Sequence, residues 1–227
     1  MSAETLIDQG FAERAEAGLA RRNSRLASQR ASKKATFESV AVVGLGYVGL
    51  PLAVHLADKF ARVSGFDISE KRVAEIGRGF DATFEIGNLA LQRCGLKAST
   101  DVSEIADATF YIVTVPTPIN EARQPNLSPL KSACEAIAPV LKPDDIVVFE
   151  STVYPGVTEE FCAPILEDIS GLKAGVDFGL GYSPERINPG DKVNTIDKVT
   201  KIVAADSPET LARVEAVYNM VVTAGLH

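Results

Sequence analysis

The run Val40-Ala41-Val42-Val43 leads without a break into Gly44-Leu45-Gly46-Tyr47-Val48-Gly49, and this junction constrains the chain more than any other feature. An unbroken apolar tetrapeptide ended by glycine reads as a strand buried on both faces, as strands of parallel sheets are. Beyond the strand the chain must turn tightly and open a helix. The apolar, helix-compatible stretch from Tyr47 to Phe60 fits, with Pro51 in the first turn, where its missing N–H is tolerated.

The same alternation continues downstream. Strands are expected at Arg62 to Phe66, Leu96 to Ser99, Phe110 to Val115, Ile146 to Phe149, Phe178 to Tyr182 and Lys201 to Ala204. Helices are expected at Glu70 to Arg78, Pro129 to Leu141 and Val157 to Ile169. A last helix runs to about Thr223, with Ser207 as N-cap and Pro208 at its first position. Strands separated by helices imply βαβ units, so the fold class is α/β: a Rossmann-like, doubly wound, mostly parallel sheet.

Residues 1–37 differ in composition. They hold seven basic and four acidic residues, and Arg21 to Lys34 contains no acid. They read as a partly helical or disordered leader, or alternatively as an arm for an anionic surface or partner. Residues 38–227 form the expected dinucleotide-binding domain. That body carries 16 basic and 26 acidic groups, which argues against nucleic acid as a partner. No apolar run approaches the roughly 18 residues a membrane span needs, and Met1 to Gly10 lack a secretory signal pattern. Cys94, Cys134 and Cys162 are far apart and form no CxxC, so neither disulfides nor zinc are implied. A reduced, cytoplasmic setting is expected.

The glycine spacing matches GxGxxG, a weak pattern alone but a specific one between a buried strand and a helix. Gly44 permits the turn, Gly46 lets a pyrophosphate approach bare backbone, and Gly49 lets helix and strand pack closely. Leu45, Tyr47 and Val48 complete the loop, and the helix amino end presents N–H groups to phosphate. Asp67, eighteen residues after Gly49, ends the second strand. Its carboxylate can accept from ribose hydroxyls and would repel a 2′-phosphate, so NAD is the expected cofactor rather than NADP. Arg72 is placed over the adenine side or, alternatively, in solvent.

Three further segments stand out: Thr114-Val115-Pro116-Thr117-Pro118, Glu150-Ser151-Thr152-Val153-Tyr154-Pro155-Gly156, and Gly181-Tyr182-Ser183-Pro184-Glu185-Arg186-Ile187-Asn188-Pro189-Gly190-Asp191. Together with Gly44 to Pro51 they resemble the UDP-glucose/GDP-mannose dehydrogenase family from Val40 onward, most of all its UDP-N-acetylhexosamine branch. The resemblance implies oxidation of the C6 hydroxyl of a UDP-sugar with NAD, in polysaccharide precursor synthesis. It implies that the loop Val115, Pro116 and Thr117 packs against the cofactor, or is merely a stiff connection. It implies that Ser151 and Thr152 approach the nicotinamide half, with Thr152 also linked to a hydrolytic water; the open alternative is that these hydroxyls cap the helix near Gly156. Glu185 is implied near substrate in acid–base or water-positioning work, with Arg186 and Asn188 as substrate contacts. The alternative is a surface Glu185–Arg186 ion pair. Pro189 stands where the UDP-glucose branch has a second glutamate, which favours the N-acetylhexosamine branch.

The resemblance also implies a two-step oxidation through a cysteine thiohemiacetal, with that cysteine, a lysine and an asparagine downstream of the helix containing Val214 to Met220. The expectation is therefore an NAD-binding part that ends before the nucleophile and is incomplete alone; a non-catalytic NAD-binding module is the alternative. Homodimerisation is expected of the full-length protein. Cys94, Cys134 and Cys162 read as small hydrophobes.

Overall fold

The computed structural model describes residues 38–119, 121, 123–185, 190 and 198–227. The leader, Arg186 and Asn188 lie outside them. Seven strands form one sheet: β1 (Val40–Val43), β2 (Val63–Phe66), β3 (Lys97–Ser99), β4 (Phe110–Val113), β5 (Ile146–Phe149), β6 (Gly179–Tyr182) and β7 (Ala204–Ala205). Their spatial order is β3-β2-β1-β4-β5-β6-β7. All pairs are parallel except β6 with β7. The first six strands thus follow the doubly wound order, with the reversal between β1 and β4.

The helices are α1 (Gly49–Ala57), α2 (Glu70–Gly77), α3 (Asn88–Arg93), α4 (Ser128–Ile137), α5 (Ala163–Ser170) and α6 (Pro208–Tyr218). Strand alternation divides the core into two layers. Val40, Val42, Phe110 and Ile112 pack with Leu52, Leu56, Val214 and Tyr218 on one face. Ala41, Val43, Tyr111 and Val113 pack with Leu130, Cys134, Ile137 and Leu166 on the other. The four residues of β1 are all at most 2% exposed, which explains their unbroken apolar run. Each large side chain buried this way contributes roughly 1.5–3 kcal/mol.

Three elements differ from expectation. The helix expected over Val157 to Ile169 is split into a π-type turn, Val157–Cys162, and α5. Pro164 has no N–H for an internal α-helical bond, so the α-helix begins there with proline in its first turn. The strand expected from Lys201 to Ala204 is only Ala204–Ala205. Lys201 pairs instead with the terminal segment: its N–H donates to the Gly225 carbonyl (3.2 Å), and its carbonyl accepts from the His227 N–H (2.9 Å). The short α3 is not among the expected helices. No helix among the described residues is long and apolar enough to cross a membrane.

Candidate functional site

The carboxyl ends of β1, β2, β4, β5 and β6 converge on a cavity of about 590 Å³. That is within the size range of small-molecule sites, and it lies at the switch point where such sheets bind ligands. Its wall includes Gly44, Gly46, Tyr47, Val48, Asp67, Val115, Pro116, Thr117, Ser151, Thr152 and Glu185. These residues come from separate segments of sequence, and the fold brings them together.

The glycine-rich loop shows what each glycine is for. Gly44 has φ +92°, a conformation a side chain resists. A Cβ on Gly49 would lie 1.9 Å from the Gly44 carbonyl oxygen and 2.3 Å from Thr114 Oγ1. Here α1 rests directly on the loop. A Cβ on Gly46 would meet nothing within 4 Å. Gly46 therefore faces open cavity, where its missing side chain leaves room for a ligand rather than for the protein. Thr114 Oγ1 donates to the Gly44 carbonyl (2.7 Å), tying the loop to the end of β4.

Asp67 faces this loop. Its Oδ2 accepts from the Leu45 N–H and its Oδ1 from the Ser69 N–H, both at 2.8 Å. The carboxylate is aimed before any ligand arrives, and its remaining lone pairs can accept ribose hydroxyls. Leu45 is not on the cavity wall: its side chain is fully buried and its N–H is taken by Asp67.

Arg72 takes neither placement expected of it. It is 9% exposed and absent from the cavity wall. Its Nε donates to the Leu45 carbonyl (2.6 Å), and an Nη lies 2.8 Å from Asp81 Oδ1. Asp81 also accepts from the Thr83, Glu85 and Ile86 N–H groups and the Thr83 hydroxyl. Burial would raise the Asp81 carboxyl, but these donors outweigh it and hold the group below the usual carboxylate range. Arg72 thus braces the glycine-rich loop from beneath.

At the other end, hydroxyls stitch the β4 and β5 loops. Ser151 Oγ donates to the Val115 carbonyl (2.5 Å) and Thr117 Oγ1 to the Thr152 carbonyl (2.7 Å). The helical turn after Gly156 has no side-chain cap, so Ser151 and Thr152 do not serve that purpose. Ser128, Pro129, Ser132 and Ala133 of α4 also line the cavity; nothing in their sequence marked them.

Glu185 belongs to a charged cluster that sequence reading missed. Glu150, on the wall directly after β5, is 1% exposed. Its Oε2 lies 3.0 Å from Lys201 Nζ, and its Oε1 accepts from the Tyr218 hydroxyl in a short hydrogen bond. Lys201 Nζ is also 3.7 Å from Glu185 Oε2. Burial pushes the Glu150 carboxyl up against the opposing pull of Lys201. Burial, reinforced by Glu150, pushes the Tyr218 phenol well above its ordinary range, so it remains a donor. The surface-ion-pair reading of Glu185 does not fit a side chain 11% exposed against a buried ammonium.

No thiol among the described residues reaches the wall. Cys134 and Cys162 are buried, and the Cys162 contact and burial push the Cys134 thiol up. Cys94 is half-buried and donates to the Leu91 carbonyl.

The comparisons with known proteins agree with this geometry. Residues 38–222 match the family model described as the UDP-glucose/GDP-mannose dehydrogenase family, NAD binding domain. The chain is 50% identical over 189 residues to Protein CapL of Staphylococcus aureus and 49% identical to UDP-N-acetyl-D-glucosamine 6-dehydrogenase of Pseudomonas aeruginosa. In both cases 83% of this chain and 44% of the relative are covered. The structure of UDP-D-ManNAc dehydrogenase from Pyrococcus horikoshii superimposes with a TM-score of 0.76 at 31% identity, over 83% of this chain and 46% of the other. The chain therefore spans less than half the length of these relatives, and it belongs to the UDP-glucose/GDP-mannose dehydrogenase family, of which residues 38–222 form the NAD-binding domain.

Proposed function

We propose that this chain supplies the cofactor-binding half of an NAD-dependent nucleotide-sugar 6-dehydrogenase acting on a UDP-N-acetylhexosamine. The observation that carries the cofactor side is the open face of Gly46 beside an oriented Asp67. The pyrophosphate would lie over Gly46, Tyr47 and Val48 at the amino end of α1. Asp67 would accept from the adenosine ribose, and Val115, Pro116, Thr117, Ser151 and Thr152 would flank the nicotinamide. Bound NAD would accept the hydride from the sugar C6 carbon. Glu185 would hold or receive a proton at the sugar end, and Thr152 would orient a hydroxyl or water there. Arg186 and Asn188, outside the described residues, are proposed substrate contacts. The sugar assignment is supported by relatives named UDP-N-acetyl-D-glucosamine 6-dehydrogenase and UDP-N-acetyl-D-mannosamine dehydrogenase.

Because no cysteine among the described residues reaches the cavity, the polypeptide 1–227 is expected to bind NAD without oxidising a UDP-sugar. Calorimetry with NAD, alongside an assay for NADH formation with UDP-N-acetylglucosamine, tests both halves. Absence of NAD binding would falsify the cofactor assignment. Steady turnover would show that the chemistry does not require a thiol beyond these residues.

A further inference from the structure

Lys201 is an ammonium 5% exposed, placed between two carboxylates of different character. Glu150 lies below it, its side chain fully buried and already accepting from two donors. Glu185, like Glu150, lies on the cavity wall, and its carboxylate is 11% exposed. The backbone repeats the connection. Glu185 N–H donates to the Glu150 carbonyl (3.2 Å), and Ser183 Oγ donates to the Ile202 carbonyl (2.7 Å), sewing the Glu185 loop to the segment that carries Lys201. Lys201 also stands 5.4 Å from the centre of the Tyr218 ring.

A buried ion pair is an expensive way to stabilise a core, since apolar residues of similar volume often do as well. Lys201 is itself off the cavity wall, yet both carboxylates it faces are on it. We propose that Lys201 is a positioning residue, anchored by Glu150 and Tyr218, that fixes the Glu185 carboxylate at the nicotinamide end of the cavity. The inference rests on the NAD reading above. Both carboxylates lie within ion-pair distance of the one ammonium, Glu150 at 3.0 Å and Glu185 at 3.7 Å. The nicotinamide ring of NAD is cationic in its oxidised form, and a fixed anion beside it favours binding. The adenosine end of the site lies across the sheet at Asp67 and does not touch this cluster.

ADP-ribose, which ends before the nicotinamide, separates the two halves. Lys201→Met alone strands the Glu150 charge, so the informative variant is Glu150→Gln/Lys201→Met, which removes the pair together. In calorimetry it should bind NAD about fivefold more weakly while ADP-ribose affinity stays within about twofold. Glu185→Gln should lose a similar factor, and combining it with the double variant should add little, as residues acting through one another are non-additive. Lys201→Arg should keep most of the NAD affinity. Equal changes for both ligands, no change for either, full additivity with Glu185→Gln, or a double variant without a cooperative melting transition would each overturn the positioning role. A wild-type chain that binds ADP-ribose and NAD normally while the variants behave so overturns this inference alone. A wild-type chain that binds neither sinks the NAD reading with it.

Discussion

The two ends of the cavity are built on different principles. The end proposed for adenosine is made chiefly of backbone: three glycines, one aimed carboxylate, and an arginine bonded to a carbonyl from beneath. The end proposed for nicotinamide and sugar is made of side chains from segments distant in sequence, with a buried Glu150–Lys201–Tyr218 cluster beside Glu185. Missing atoms set the first end and buried charge sets the second. Steric changes should therefore dominate at one end and charge changes at the other.

The largest expected effect comes from Gly49→Val. The Cβ would be driven into the Gly44 carbonyl, with no flexible neighbour able to yield. Overpacking of this kind costs about 3 kcal/mol or more, so the melting temperature should fall and NAD binding should disappear. Gly46→Val sharpens the contrast. Its Cβ meets no protein atom, so thermal stability should hardly move, while NAD affinity falls by about 2–3 kcal/mol, roughly a hundredfold. If both variants lose stability alike, the division of labour between the two glycines is wrong.

Asp67→Ala should act more mildly and selectively. Losing a charged acceptor for ribose hydroxyls costs about 1.5–3 kcal/mol of NAD affinity. NADP, which the carboxylate repels, should lose nothing. Competitive titration of the two cofactors measures the ratio, and an unchanged preference for NAD would remove Asp67 from the site.

The same division explains what the sequence disclosed. The glycine-rich loop and the carboxylate that faces it were legible because they fall within Val40 to Asp67 and the strand–turn–helix geometry imposes them. Arg72 misled because its charge suggested a ligand, whereas the buried Asp81, 9 residues on, claims it. Thr152 and Glu185 were singled out through the family resemblance, not through any local pattern, and the fold places both on the cavity wall. Glu150, Lys201 and Tyr218 were missed as a group because 51 residues separate the first two, and only the β5-β6-β7 pairing closes that distance. The break at Pro164 was visible in the sequence but lay within an otherwise helical apolar pattern. The strand expected at Lys201 failed because that residue's backbone is taken by the terminal segment.

The smallest effect serves as a control remote from both ends. Asp145, at the amino end of β5, is pushed up to about 6, chiefly by burial, against hydrogen bonding and charge from Lys142 and the charge of Arg213. Its folded-state value lies above that of the unfolded chain, so folding takes up a proton between the two values. This group therefore makes the protein less stable as pH rises from about 4 to about 6. Asp145→Asn keeps an oxygen to accept the Lys142 N–H (2.8 Å) and removes the titration. After discounting for solvent screening, the stability of the variant relative to wild type should rise by about 1 kcal/mol between pH 4.5 and 7, by order-of-magnitude estimate. NAD affinity should not change, because this carboxylate sits at the opposite end of β5 from the cavity. Urea melts at the two pH values measure the first effect. A flat difference would mean that Asp145 is ionised throughout, and a change in NAD affinity would mean that charge at the amino ends of the strands reaches the site after all.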